Sequence, residues 1–309
     1  MQVCDGVVAG VAATTNRNEE LMTKYLRWLQ VHTTLAEDSI RGMYRHARTV
    51  IGDMDPFAIT TEWIEDNILL SHRYKPATKR LYIIALRKFF TCMQFYGMAT
   101  SNPAKYVRIP KASVGLPKFI PDQVLVRIFS AARTLREKAI LSIFCFCGLR
   151  TCEMAGLKVE HINFPERLIF IEKGKGGKTR YTCMSPDTAE LLIAYMGEYG
   201  IKSGALFLCE YRATGDKAMQ REGYKKIMAR LSKRIGYHFT PHRLRHTFAT
   251  RYYDGGGDLF SLQKLLGHSS INQTQRYTFV ALKRIKTAYD SVDMDKEIKI
   301  PIDRDYILR

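Results

Sequence analysis

A chain of 309 residues that is 46% apolar and 25% charged carries enough apolar material for two ordinary domains and reads as a soluble globular protein. No apolar run approaches a membrane span, and the start of the chain, with Asp5 and no basic segment, does not resemble a secretory signal; a cytoplasmic protein is expected, nucleoid-associated in a prokaryote. The formal net charge of +18 creates an attractive field for polyanions and points to nucleic acid or an anionic surface as partner.

Residues 1–16 are weakly patterned and are expected to be flexible. Four helical patterns follow: Leu21, Tyr25, Trp28 and Leu29; Ile40, Met43, Tyr44 and Ala47; Trp63, Ile64, Ile68 and Leu69; and a segment from about Pro76 to Tyr96 that stops at Gly97. The last carries Lys79, Arg80, Arg87 and Lys88 on its polar side. No acidic residue occurs between Asn67 and Pro121, a one-sign stretch that favours a phosphate-backbone footprint over a solvated face. Residues 17–105 therefore read as a small all-helical domain that lays a basic face on a duplex, and the Pro-rich segment 106–118 as a stiff linker.

A helix is expected from Pro121 to about Arg133, then a nearly all-apolar one over 139–147 that ends at Gly148. Directly after it stand Arg150 and Glu153, where a buried charge needs either a plain ion pair or an external anion. Two short β runs, 168–171 and 181–183, flank Lys173-Gly174-Lys175-Gly176-Gly177-Lys178, a hairpin tip able to set an ammonium against a phosphate but without the spacing of a nucleotide-binding P-loop. A helix over 186–199 and a basic helix over 217–235 follow, the latter carrying Arg221 and Lys225, so that it is either a groove contact or a solvated face. Seven cysteines without CxxC spacing favour reduced, mostly buried thiols over disulfides or zinc ligation.

Pro241 opens a helix that puts His242 and Arg245 on one face at its N-terminal end, where backbone amides already favour an anion, with Arg243 between them. Leu265-Leu266-Gly267-His268 and Gln275-Arg276-Tyr277 complete the stretch. These residues resemble the tyrosine recombinase (integrase) family, of the Xer-like or phage and mobile-element branch. Gly148 to Glu153 is similar to that family's first arginine box, Lys175 to its hairpin lysine, Pro241 to Thr250 to its His-x-x-Arg box, and Leu265 to His268 to its second histidine box, with Tyr277 nine residues later where the nucleophile is expected. Phe279 departs from the histidine frequent two residues after the nucleophile, and Cys147 and Cys152 stand where small or polar residues are common.

The resemblance implies a mainly α (α+β) fold: an all-helical core-binding domain over 17–105, and a mostly helical catalytic domain over 119–292 with a small β-hairpin or sheet. It implies a 3′-phosphotyrosyl intermediate, no metal or other cofactor, and double-stranded DNA as partner. The assembly would be a homo-oligomer, a dimer per site and a tetramer in synapsis, or a pairing with a related recombinase. Residues 293–309 are a disordered terminus or a tail that docks on a neighbouring protomer. In-line attack builds charge on the phosphate oxygens, which Arg150 and Arg245 can meet with forked donors worth roughly 3–4 kcal/mol each. A phenol of pKa about 10 needs help at neutral pH, and His242 is the candidate proton acceptor, His268 a phosphate donor, Lys175 the general acid, and Glu153 the residue that orients Arg150 or His242. Rival readings are a type IB topoisomerase and a non-catalytic DNA-binding architectural protein; the latter gives no reason for the ordered Arg, Lys, His, Arg, His and Tyr set.

Overall fold

The computed structural model describes residues 3–111, 118–172, 179–209, 217–268 and 270–278, with side chains from Arg17 onward. The chain divides into two compact units, Met1–Gly115 and Leu116–Arg309.

The first unit is helical. Helix α1 spans Val3–His32 and so starts ahead of the first apolar repeat, where the sequence suggested no regular structure. Helix α2 spans Glu37–Ile51. Helix α3, Thr61–Ile64, runs on into a π turn over Glu65–Leu69, and α4 covers Pro76–Phe95. The apolar stripes read from the sequence meet in one core: Tyr25, Leu29, Ala47, Ile64, Ile68, Leu86 and Phe89 are all sealed from solvent. Tyr25 packs edge-on against Phe89 at 5.4 Å between ring centroids. Its hydroxyl donates to the Ala85 carbonyl at 3.3 Å, so the buried phenol keeps a hydrogen bond. The Thr60 side chain accepts the Trp63 amide and starts α3.

The second unit begins with α5, Asp122–Ala131, and α6, Leu135–Ser142, capped by Thr134. Helix α6 widens into a π turn over Ile143–Cys147 that is closed by Gly148 in the left-handed conformation. Short helix α7, Thr151–Ala155, leads to a three-stranded antiparallel sheet of β1 (Ile162–Asn163), β2 (Leu168–Ile171) and β3 (Arg180–Cys183), in that order. The sequence pattern indicated only the last two strands; β1, at two residues, is too short for alternation to register. Ile169 and Ile171 face the core from β2, and Thr182 faces it from β3, donating its hydroxyl to the Cys147 carbonyl at 2.8 Å. That bond ties the sheet to the end of the π turn. Helices α8 (Pro186–Tyr199), α9 (Arg221–Ile235), α10 (Pro241–Asp254), α11 (Leu259–Leu266) and α12 (Asn272–Gln275) complete the described residues. Among them, no helix is long and apolar enough to cross a membrane.

Cys92, Cys145 and Cys147 are buried, whereas Cys152 and Cys183 are exposed and Cys209 is half-buried, so the thiols are less uniformly internal than the sequence suggested. Burial pushes the Cys145 thiol up to about 12.

Candidate active site

The site grows from the end of the π turn. Gly148 sits at φ 66°, and a Cβ there would come within 2.4 Å of the Phe248 ring, so both backbone and space demand glycine. The turn it makes delivers Arg150 as the N-cap of α7 with extended backbone. The Glu153 carboxylate closes back on it, accepting from the Arg150 amide at 2.7 Å and from its guanidinium at 2.8 Å. Of the two alternatives left open by the sequence, the ion pair forms, but it is shared with other arginines rather than isolated. Glu153, whose side chain is fully buried, also holds Arg180 at 2.7 Å and lies 3.7 Å from Arg245. Burial opposes its ionisation, but the guanidiniums of Arg180, Arg245 and Arg150, with the Arg150 amide, outweigh burial and hold the carboxyl below the usual range.

Arg245 reaches from the second turn of α10 to donate to the carbonyls of Gly148 and Leu266, each at 2.5 Å. Burial first, then the neighbouring Arg150, lowers its guanidinium to about 9. Arg150 donates to the Gly267 carbonyl at 3.1 Å, and Arg180 to that of Leu265. Three arginines from three separate elements thus grip the last turn of α11 and the residue beyond it. Gly267, at φ 62°, leaves room for Arg180: a Cβ would lie 2.7 Å from its Cδ.

His268 follows directly. Its Nδ1 lies 2.9 Å from the hydroxyl of buried Thr274, which leaves Nε2 as the nitrogen for a ligand. Tyr277 is almost wholly buried, packed with Ala249, Leu262 and Leu266. Its hydroxyl lies 2.8 Å from Nδ1 of His246, one turn deeper along α10 than His242, which was the expected partner. His242 is exposed and meets His246 ring to ring at 4.6 Å. Burial, helped by surrounding cations, lowers His246 and His268 each to about 3, and holds His242 below the ordinary imidazole value. Burial raises the Tyr277 phenol against the opposing pull of Arg245, Arg276 and Arg150.

The structure therefore gathers Arg150, Glu153 and Arg245 in one network, with His268 directly after the Gly267 carbonyl that Arg150 holds, and places Tyr277 beside His246, whose ring in turn meets His242 one turn earlier on α10. Lys175 and Phe279 lie outside the described residues. Arg180, His246 and Arg276, the last with its Nε buried without a hydrogen bond among the described residues, also stand at the site and carry no motif that singles them out. A signal existed for two of them. Arg180 stands two residues before inward-facing Thr182 on β3, a charge on the core side of a strand, and His246 stands four after His242 on one helix face.

The model of the phage integrase family matches residues 118–284, more than half of the chain. This chain belongs to that family. Tyrosine recombinase XerA of Pyrococcus horikoshii is 32% identical over 225 residues, covering 73% of this chain and 77% of the relative. Tyrosine recombinase XerC of Pelobacter propionicus is 31% identical over 278 residues, 85% of this chain and 90% of the relative. Among solved structures, the Tn1549 transposon integrase in complex with transposon right end DNA shares the fold at a TM-score of 0.65 with 17% identity, over 87% of this chain and 99% of that one. Membership in the family carries an enzymatic activity, the cleavage and rejoining of DNA strands. The mainly helical fold with its small sheet is the one the family resemblance implied.

The basic residues of this integrase-family chain divide by what they touch. Arg80 is exposed and Lys88 half-exposed on α4, but Lys79 donates to the Leu69 carbonyl at 2.7 Å. Arg87 donates to the carbonyls of Ala104 and Val107 at 3.0 and 2.9 Å, and so pins the segment that follows α4. On α9, Lys225 lies 3.3 Å from Glu222, while Arg230 and Arg234, at the surface, pair with buried Glu137 at 2.9 and 3.0 Å. Arg221, at the start of that helix, is half-buried. Arg243 stacks over the Tyr237 ring at 4.9 Å and donates to its hydroxyl and to the His238 carbonyl.

Proposed function

We propose that the protein is a site-specific DNA recombinase that cleaves one strand with Tyr277, keeps the phosphodiester energy in a 3′-phosphotyrosyl bond, and passes the strand to another 5′ hydroxyl. The observation that carries this reading is the Glu153 network, which gathers Arg150, Arg180 and Arg245 beside His268. Guanidiniums fixed before substrate arrives suit a phosphate whose charge grows in the transition state, since no reorganisation is then required. Arg150 and Arg245 would meet the non-bridging oxygens, the Nε2 of His268 would donate to the phosphate, and a histidine of α10 would take the Tyr277 proton. Lys175 would protonate the leaving 5′ oxygen. Because the bond energy is conserved, neither ATP nor a metal is called for.

The helical unit, with Arg80 and Lys88 at its surface, would hold duplex DNA as the core-binding domain (17–105), joined by the linker 106–118 to the catalytic domain (119–292). Two protomers would share a site and four would meet in synapsis, in the cytoplasm, with the 293–309 tail coupling neighbours. The Xer-type relatives at 32% and 31% identity support the recombinase reading.

The test is covalent trapping on a nicked suicide duplex. The wild type is expected to form a protein–DNA adduct through its 3′ phosphate in the presence of EDTA, and Tyr277→Phe to form none. An adduct that survives Tyr277→Phe sinks the assignment of the nucleophile; relaxation of any supercoiled DNA without a defined site would point to topoisomerase activity.

A further inference from the structure

Tyr277 and His246 are both buried, at 1% and 8% exposure, and their polar atoms meet at 2.8 Å. His242, His246 and Arg245 project from one face of α10, at i, i+4 and i+3. His246 lies between the phenol and exposed His242, whose ring is 4.6 Å away at 69°. The order from inside to outside is phenol, buried imidazole, exposed imidazole.

Resting on the reading of Tyr277 as nucleophile, we propose that His246 is a further catalytic residue, the acceptor of the Tyr277 proton, and that His242 is its exit to solvent. The step balances without any further reactant. As Tyr277 Oη bonds to phosphorus its O–H bond breaks, and the proton moves to Nδ1 of His246. The Nε2 proton of His246 then passes to His242 or to water, restoring the neutral ring. At phosphorus the bond to the 5′ oxygen breaks, and that oxygen leaves with the electron pair and is protonated by the general acid.

Geometry requires His246 to be the neutral Nε2–H tautomer when Nδ1 accepts from the phenol. The groups that face it keep it neutral: after burial, His242, Arg276 and Arg245 all oppose a second proton. The same surroundings supply a trigger. A phosphate anion seated on the guanidiniums offsets their charge, so the ring gains basicity only when substrate is in place. A histidine that is a poor base at rest would limit premature ionisation of the nucleophile.

Single-turnover cleavage of the nicked duplex at saturating protein, from about pH 6 to about pH 10, separates the possibilities. His246→Phe is expected to bind the duplex as the wild type does but to form the adduct about a hundredfold or more slowly. Its rate should climb about tenfold per pH unit, because only spontaneously ionised phenol attacks, whereas the wild-type profile is flat. His246→Gln keeps an acceptor but cannot carry a proton, and should show the same climb; should the Phe variant not fold, this variant decides. A wild-type rate and profile in His246→Phe, or a flat profile in His246→Gln, overturns the proposal while leaving Tyr277 in its role. An adduct with Tyr277→Phe defeats both.

Discussion

Glu153 carries no exposed side-chain surface, yet it stays ionised because guanidiniums close on it from α7, β3 and α10. Glu153→Gln keeps the shape and removes the charge, leaving Arg180 and Arg245 buried without a counter-ion; urea unfolding should report a loss of about 3–5 kcal/mol. A loss below about 1 kcal/mol would show that the carbonyls of Gly148, Leu265 and Leu266 suffice for the arginines. The carboxyl is lowered in the folded state, so the stability it contributes is complete above its unfolded value of about 4.3 and disappears as pH falls through the folded value. His246 and His268 act in a higher window. Both are held to about 3, so as pH drops below about 6.5 the unfolded chain takes protons that the folded chain refuses. Each then removes up to about 1.4 kcal/mol per pH unit. Unfolding measured between about pH 7 and about pH 5 should show this decline, and His268→Gln should make it shallower while the His246 share remains; a level curve in the wild type would contradict it.

The residue past α11 has to be small and left-handed at once. Gly267→Ala would cost about 1–3 kcal/mol of backbone strain and drive Arg180 away from Glu153. Adduct formation should fall while duplex binding is kept, as read by trapping and gel shift on the same samples; weakened binding with normal cleavage would speak against this linkage. The helices that present these groups were largely legible in the sequence, because their punctuation is local: Pro76, Pro186 and Pro241 open helices and Gly148 closes one, whereas α6 starts at Leu135 behind the Thr134 cap, four residues ahead of the apolar run that marked it. The order of Arg150, His242, Arg245, His268 and Tyr277 was legible for the same reason, since each sits in a short motif. What escaped was long-range. Nothing near Arg230 and Arg234 tells that their partner, Glu137, waits on α6, and a charged α9 therefore looked freer of partners than it is. Arg180 reads as a hairpin cation until β3 pairs with β2 and turns it inward. His246 looked like an ordinary helix residue because only the fold brings Tyr277, from beyond α12, against it.

A net charge of +18 over 309 residues repels itself and is relieved by a polyanion, so duplex affinity should fall steeply with salt. Within that field, surface charges and structural ones should separate. Arg80→Ala should weaken binding to all sequences alike and lower the salt slope by about one, with an unchanged melting temperature. Arg87→Ala should instead destabilise the helical unit by about 1–3 kcal/mol, since two carbonyls lose their donor. Identical effects of the two variants on melting would refute that division. The Glu153 network extends the same logic to the whole molecule. Three guanidiniums against one carboxylate leave a surplus of two positive charges inside the fold. Folding and anion capture are therefore thermodynamically coupled: a small oxyanion such as sulfate should act as a stabiliser, worth about 2.7 kcal/mol at a hundred times its dissociation constant. Thermal melting in rising sulfate would reveal that coupling, and the scissile phosphate, on entering, would complete an ionic core that the polypeptide alone leaves in deficit of negative charge.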